Sequence, residues 1–192
     1  MSSALPSSPR HLMHRRAIDV QVFAREDGHF EAEARIQDTK TREITVGGDV
    51  RAPGVPIHEM VLTLVIDRRL NILAAHSASP AVAYTGHCEE HGDAYQRLVG
   101  LNLMQGFRAE VKARLGGVLG CTHITELCTV LPTAVLQGFA GAVLDTHEGK
   151  DSSHQPYQID RCHALRSDGE VVKTFYPRWY RGTSAAAEPA IT

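Results

Sequence analysis

The segment 120–127 places a thiol, an imidazole and a carboxylate close together in the sequence Gly-Cys-Thr-His-Ile-Thr-Glu-Leu. A glycine-rich stretch runs here into an apolar pattern of helical period, which predicts that a helix begins near Thr122. A helix N-terminus presents free N–H groups and a partial positive charge. A cysteine there tends toward its thiolate, the form that binds metals or attacks carbon. Cys121, His123 and Glu126 are therefore candidate site residues. Three interpretations are open: they bind a metal, they take part in catalysis, or they have only a packing role.

Three further places in the chain carry residues of similar chemistry. They are His58 and Glu59 at the start of the strongest strand pattern, His87 and Cys88 after its partner strand, and Cys162 with His163. Because strand ends and a helix N-terminus can meet at one end of an antiparallel sheet, we expect a pocket there. Structural roles remain open: His58 as a simple hydrogen-bonding residue, Cys162 as a buried strand residue and Cys128 as a core residue.

Two kinds of chemistry fit these residue types. Soft sulfur and imidazole ligands suit zinc or iron, and the candidate ligands are His58, Cys88, Cys121 and His123. Against a metal, the chain has no C-x-x-C pair, and Cys121-x-His123 is weak by itself. The other kind is acid–base chemistry on a small organic molecule. No P-loop and no G-x-G-x-x-G motif occurs, so no phosphate-bearing cofactor is implied.

The elements that must position these residues change in type along the chain. Residues 29–37 alternate apolar and polar side chains, as a half-exposed antiparallel strand does. Predicted strands cover 17–22, 29–37, 60–66 and 71–76, with a later pair at 162–165 and 171–175. Predicted helices cover 93–103, 106–115 and the residues after Thr122, with a kink or a restart at Pro132. This order indicates the α+β class, an antiparallel sheet with helices packed on one face.

Length and composition bound the classes of protein. The 192 residues suggest one domain over 17–180, with a flexible N-terminal arm at 1–16 and a flexible tail at 181–192. The polar composition of residues 145–158 predicts a mobile loop. A net charge of −2 without long runs of one sign argues against partners such as nucleic acid or a membrane surface. No apolar run approaches the roughly 18 residues of a membrane span, and the start lacks a signal peptide's apolar region. We therefore expect a cytoplasmic protein with reduced cysteines.

Several motifs resemble, in order, a bacterial domain-of-unknown-function family, number 2889. They are Asp27-Gly28, Asp38-Thr39, Pro56-Ile57-His58-Glu59-Met60, Arg97-Leu98-Val99-Gly100, Gly120-Cys121-Thr122-His123, Cys162-His163-Ala164-Leu165 and Asp168-Gly169-Glu170-Val171-Val172. The resemblance covers roughly residues 15–180. It implies a protein of environmental bacteria that degrade aromatic compounds. The activity it implies is that of a lyase that removes formaldehyde from lignin-derived aryl dimers.

A weaker resemblance concerns architecture. Residues 57–137 are similar to the core of NifU- and SufE-type iron–sulfur scaffold proteins, here with extra strands. His58 falls near the first cysteine position of that pattern, Cys88 or His87 near the second, and Cys121 with His123 near the third. A histidine stands near the first position, and the His-Cys pair has become Cys-x-His. These departures argue against cluster assembly but preserve the expectation of a shared pocket.

The family resemblance, joined to the residue types, implies roles for individual side chains. His58 or His123 would act as the base, because the pKa of histidine lies near neutral pH. Glu59 or Glu126 would orient the imidazole, although Glu126 is also placed to complement the helix dipole. Tyr84 or Arg97 would bind the substrate oxygens, although either also suits a packing or surface role.

The main hypothesis is therefore a small acid–base enzyme without a cofactor. It would be a carbon–carbon lyase of the retro-aldol type, releasing formaldehyde from phenolic aryl dimers. The alternatives are a zinc- or iron-binding scaffold-like module and a non-catalytic protein that binds small aromatic molecules. A homodimer is expected, because residues 176–180 form an aromatic and basic cluster that offers exposed area.

Overall fold

The structure, a computed structural model, describes residues 8–146 and 154–182. The described residues form two compact units, which divide between Leu136 and Gln137. The predicted domain boundaries at 17 and 180 stay predictions. Residues 1–7 of the predicted arm, 147–153 of the predicted loop and 183–192 of the predicted tail lie outside the described residues.

The first unit is built on an antiparallel sheet of four strands in the order β1-β2-β5-β6. A separate short hairpin pairs β3 with β4. The strands are β1 His14–Ala24, β2 Phe30–Lys40, β3 Ile44–Val46, β4 Asp49–Arg51, β5 Pro56–Ile66 and β6 Ile72–Ala81. All four strands predicted for the first half of the chain are confirmed and are longer than expected. The α+β class is confirmed with them.

One face of the sheet forms much of the core. On β2 the alternate residues Ala32, Ala34 and Ile36 are fully buried. On β5 the alternate residues from Met60 to Ile66 are buried in the same way. Because side chains alternate between faces with a period of two, the next residues in these two series are Asp38 on β2 and His58 on β5. The apolar face therefore ends in a charged row.

The helices follow the sheet in the sequence. They are α1 Phe107–Leu115, α2 Thr122–Phe139 and α3 Glu170–Phe175, and a 3₁₀ helix covers Gly92–Leu98. The predicted apolar face of α2 is confirmed, since Ile124, Leu127 and Leu131 are fully buried. The expected restart at Pro132 is absent, because α2 runs through this residue as one helix. None of the helices in the described ranges is both long enough and apolar enough to cross a membrane.

Two predicted elements are wrong. The helix expected over 93–103 stops at Leu98, because the next residues bond to the start of β6: Gly100 N–H donates to Ile72 C=O, and Ile72 N–H donates to Leu101 C=O. The late strand pair is also wrong, since 163–165 is a 3₁₀ turn and 170–175 is α3. The β-branched residues Val171 and Val172 favoured a strand there, but local hydrogen bonds satisfy the backbone as a helix.

Candidate functional site

A row of polar side chains crosses the sheet where β2 ends and where β1 and β5 begin. Arg16 on β1 is paired in register with Asp38 on β2, and Asp38 is paired with His58 on β5. The pairing of β2 with β5 shifts register directly after Asp38. Neighbouring strands bring paired residues to within about 5.5 Å at Cα, so the three side chains lie side by side.

Asp38 is the centre of this row, and its side chain is only 2% exposed. Arg16 holds the carboxylate with two parallel hydrogen bonds, from Nε to Oδ1 at 2.9 Å and from Nη2 to Oδ2 at 2.8 Å. Burial opposes the charge on Asp38, but the Arg16 hydrogen bonds and nearby positive charge outweigh it, so the pKa of Asp38 lies below its usual value. Asp38 is therefore a buried, permanently ionised carboxylate at neutral pH.

Three histidines surround the same carboxylate. His14 Nε2 lies 3.1 Å from Asp38 Oδ1, while His58 Nδ1 and His123 Nε2 lie 3.5 Å and 3.3 Å from Oδ2. The His58 and His123 rings are stacked with their centroids 4.1 Å apart and their planes tilted by 32°. Asp38 thus favours a tautomer in which each of these two rings directs an N–H at it, leaving the opposite nitrogen as a base.

Burial lowers the pKa of both His58 and His123 from the usual 6.5. For His58 the charge that His123 carries when protonated and the charge of Arg16 add to the effect, and Asp38 opposes it. For His123 the carboxylates of Asp38 and Glu126 oppose the shift, but burial and Arg16 prevail. Both imidazoles are therefore neutral at pH 7, the state in which histidine accepts a proton or binds a metal.

Helix α2 brings His123 to the sheet and is fixed at its first turn. Tyr95, which is 1% exposed, donates its hydroxyl to Cys121 C=O at 2.8 Å and accepts Cys121 N–H at 3.1 Å. The same hydroxyl lies 2.9 Å from Thr125 Oγ1. Glu126, one turn along the helix, pairs with Arg16 and so ties the helix to β1. Glu126 therefore holds the arginine that holds Asp38, and its negative charge also acts on the His123 ring.

A cleft of about 550 Å³ opens beside the two imidazoles. Its wall includes His58, Tyr84, Cys88, Cys121 and His123. Cavities of roughly 300–1,000 Å³ hold most small ligands, so a molecule with one or two rings fits here. The cleft joins the strand end, the turn after β6 and the start of α2, which are three of the four places expected from the sequence to meet; Cys162 and His163 do not line it.

Of the other predicted site residues, Glu59 and Arg97 lie away from the cleft. Glu59 points to the opposite face of the sheet, where Gln37 donates to it at 3.1 Å and Arg35 pairs with it. The Arg97 guanidinium donates to Arg114 C=O at 3.1 Å and does not line the cleft. Tyr84 lines the cleft and is 56% exposed.

The cysteine and histidine of the late motif belong to the second unit. Cys162 is exposed, and His163 Nε2 lies 3.4 Å from Arg166 Nη1. Cys128 is buried on the apolar face of α2, where burial raises the pKa of its thiol to about 12, as suits a core residue. This leaves Cys88 and Cys121 as the cysteines of the cleft wall.

Sequence reasoning missed Asp38, Arg16 and His14. The predicted strand ends at residue 37, and Asp38 enters the sequence analysis only within a motif of the family resemblance, without a role in the site. One signal was available, because Asp38 continues the period-two series of Ala32, Ala34 and Ile36. An aspartate at a core position is rarely buried without a partner. Arg16 and His14 gave no such signal, since they fall in the segment predicted as an arm.

A metal ion would find one suitable group of ligands among the described residues. One atom from each of Asp38, His58 and His123 lies within 4.8 Å of the other two. Cys88 and Cys121, which belong to the ligand set expected from the sequence, are outside this group. The Arg16 guanidinium already occupies both oxygens of Asp38, and a cation would have to share the carboxylate with it.

The lowered pKa values predict how stability depends on pH. As pH falls below about 6.5, the unfolded chain binds protons at His58 and His123 that the folded protein binds less readily, so the free energy of unfolding should fall. Urea unfolding at about pH 7.5 and about pH 5.5 measures this change. The charged and titratable groups facing the two rings are His14, Arg16, Asp38, Cys121 and Glu126.

The double variant His58→Gln/His123→Gln should show a flatter dependence on pH than the wild type. His76→Gln, at an exposed position of β6, is the matched control and should retain the wild-type slope. Equal slopes in the double variant and the wild type would contradict the assignment of the effect to these rings.

The fold and site define an α+β protein whose sheet ends in a buried carboxylate beneath two neutral histidines. A family model described as "Protein of unknown function (DUF2889)" matches residues 14–137, and the chain belongs to that family. The matched range includes every residue of the site from His14 to Glu126. No curated protein and no solved structure matches the chain, so the resemblance to NifU- and SufE-type scaffolds stays a prediction.

Proposed function

We propose that this protein is a small lyase that breaks a carbon–carbon bond in a phenolic aryl dimer and releases formaldehyde. The observation that carries the proposal is the pair of neutral imidazoles that share the buried carboxylate of Asp38 on the wall of an open cleft. Perturbed titratable groups at a cleft are a common mark of acid–base sites. The family resemblance suggests the substrate class, and the cleft volume is compatible with it.

His58 is proposed as the base. Its Nδ1 lies toward Asp38, so the other ring nitrogen is the one that accepts a proton. Removal of the proton from the hydroxyl of a hydroxymethyl side chain lets the oxygen form a carbonyl. The carbon–carbon bond then breaks, formaldehyde leaves, and the electron pair stays on the carbon that carried the hydroxymethyl group, where the adjoining aromatic ring shares the charge. That carbon then takes the proton back from His58, which restores the neutral imidazole. General base catalysis of this kind contributes roughly 10²- to 10⁴-fold to a rate.

The remaining groups support this step. Asp38 orients the imidazole and stabilises its protonated form, in the way that a buried aspartate supports a catalytic histidine elsewhere. Arg16 keeps Asp38 ionised and in place, and Glu126 in turn holds Arg16. Tyr84, on the rim of the cleft, is proposed to donate its hydroxyl to the phenolic oxygen of the substrate.

The test is a formaldehyde assay with a phenolic dimer that carries a hydroxymethyl side chain. We expect the wild type to release formaldehyde and His58→Gln to be slower by about 100-fold or more. His76→Gln, a histidine of β6 that does not line the cleft, should retain the wild-type rate. Binding of the dimer without turnover by the wild type would contradict the proposal and favour a non-catalytic aromatic-binding protein.

A metal centre is the second candidate, because the ligand atoms of Asp38, His58 and His123 lie within reach of one ion. Elemental analysis of the purified protein separates the two. About one zinc or iron per chain that is lost in His58→Gln would contradict free imidazoles and favour the metal. A metal-free protein with formaldehyde release would contradict the second candidate.

We also propose that the enzyme works in the cytoplasm as a homodimer. The four cysteines are all free thiols, which suits a reducing compartment. For the dimer, β1 is an edge strand of 11 residues, and long unpaired edges often pair with a second chain. Sedimentation of the purified protein tests the dimer.

A further inference from the structure

The Cys121 thiol, the His123 ring and the Asp38 carboxylate form a continuous chain of contacts. Cys121 Sγ lies 3.9 Å from His123 Nδ1. The other ring nitrogen, Nε2, lies 3.3 Å from Asp38 Oδ2. A nucleophile beside a base that is in turn oriented by a third group is the arrangement of enzymes that form covalent intermediates.

We propose that Cys121 is a nucleophile toward the carbonyl carbon of small acyl thioesters, with His123 as its base and Asp38 as the group that orients His123. The inference concerns a different pair of residues from the proposed lyase, whose base is His58. Both share Asp38 and the same cleft, so the protein has two neutral imidazoles with separate tasks: one faces the substrate hydroxyl and the other serves the thiol.

The position of Cys121 suits this role. The residue directly precedes α2, is partly exposed and lines the cleft, whereas Cys128 within α2 is buried in the core. The buried Tyr95 hydroxyl fixes the Cys121 backbone with two hydrogen bonds, donating to Cys121 C=O and accepting from Cys121 N–H. Its side chain is therefore held on a rigid support, which nucleophiles require in order to stay aligned with a base.

The start of α2 also provides donors beside the thiol. The first helical hydrogen bond runs from Thr125 N–H to Cys121 C=O at 2.9 Å. The N–H groups of the preceding residues in the first turn come before that bond and are free of the helical ladder. Donors of this kind stabilise the oxyanion that forms when a nucleophile attacks a carbonyl group.

The reaction needs no reagent besides the thioester and water. His123 Nδ1 takes the proton of the Cys121 thiol as the Sγ–C bond forms and the carbonyl electrons move to oxygen. When the carbonyl forms again, the bond from carbon to the leaving sulfur breaks. The departing thiolate takes the proton from His123, which leaves an acyl group on Cys121 and a free thiol. Water then hydrolyses the new thioester to a carboxylic acid and restores Cys121.

The experiment incubates the full chain with S-phenyl thioacetate and measures thiophenol release, the intact mass and the modified residue. We expect one acetyl group per chain, mapped to Cys121. Cys121→Ala should lose this modification, and Cys162→Ser, at an exposed thiol of the second unit, should keep it. Acetylation mapped to any other cysteine would overturn the proposal, and so would a wild type that gains no acetyl group and releases thiophenol no faster than Cys121→Ala.

The role of His123 is tested by the rate. His123→Gln should acylate about 100-fold more slowly than the wild type. If circular dichroism shows that this variant is unfolded, the pH profile of acylation of the wild type is measured instead. A rate that rises with pH only as the acylation of a free cysteine thiol does would overturn the proposal. These readouts do not use formaldehyde, so failure of the lyase and failure of the nucleophile are separate results.

Discussion

We expect Asp38→Asn to lower the free energy of unfolding by about 3 kcal/mol and to remove most of the activity at both imidazoles. Asp38 is buried and accepts two hydrogen bonds from Arg16. Removing one partner of a buried ion pair leaves the other charge without compensation, which costs roughly 3–5 kcal/mol. We place the loss near the lower limit, because the Arg16 side chain is 36% exposed and water can partly replace the carboxylate.

The same substitution removes the group that orients His58 and His123. A neutral amide presents an N–H as well as an oxygen to the two rings, and so selects the wrong tautomer in at least one of them. Formaldehyde release and acylation of Cys121 should both fall by about 100-fold or more. Urea unfolding and the two rate assays measure these effects.

The matched control for this variant is Asp19→Asn. Asp19 is an exposed residue of β1 that contacts Gln21 and lies away from the charged row. The Asp19→Asn substitution should change the free energy of unfolding by no more than about 0.5 kcal/mol and leave the rates of formaldehyde release and of Cys121 acylation unchanged. A stable and fully active Asp38→Asn would show that the carboxylate neither holds the fold nor orients the histidines.

The second large effect is expected for Tyr95→Phe. The substitution removes a hydroxyl that contacts Cys121 C=O, Cys121 N–H and Thr125 Oγ1 without changing the ring that packs in the core. Burial raises the pKa of this hydroxyl to about 12, so it stays protonated throughout the useful pH range. Leaving buried polar groups unpaired costs about 1–3 kcal/mol, and we expect a loss of about 2 kcal/mol.

Tyr95→Phe also loosens the segment that carries the thiol and the His123 ring. Acylation of Cys121 should therefore fall more steeply than formaldehyde release, because His58 stands on β5 and keeps its own support. Tyr84→Phe is the control for stability, since the Tyr84 side chain is largely exposed and should tolerate the change. Equal stability of Tyr95→Phe and the wild type would show that the three contacts make no net contribution to the free energy of unfolding.

The strands of the sheet and the long helix could be predicted from local patterns. Alternation over 30–37 and the apolar period after Thr122 follow from geometry that each segment carries by itself, a period of two for a strand and of 3.6 for a helix. Those patterns also identified His58 and His123 and their expected meeting at one end of the sheet. The late strand pair failed because β-branched residues are only a weak local preference, which hydrogen bonding within the segment overrode.

Residue types along the chain by themselves indicated the α+β class and a histidine pocket with a nearby thiol. Only the tertiary structure showed that the pocket is centred on Asp38, that Arg16 holds this carboxylate and is itself held by Glu126, and that Glu59 faces away from it. The physical reason is that strand register brings together residues 22 and 20 positions apart, Arg16 with Asp38 and Asp38 with His58. No local pattern encodes register, because it results from the packing of the whole sheet against its core.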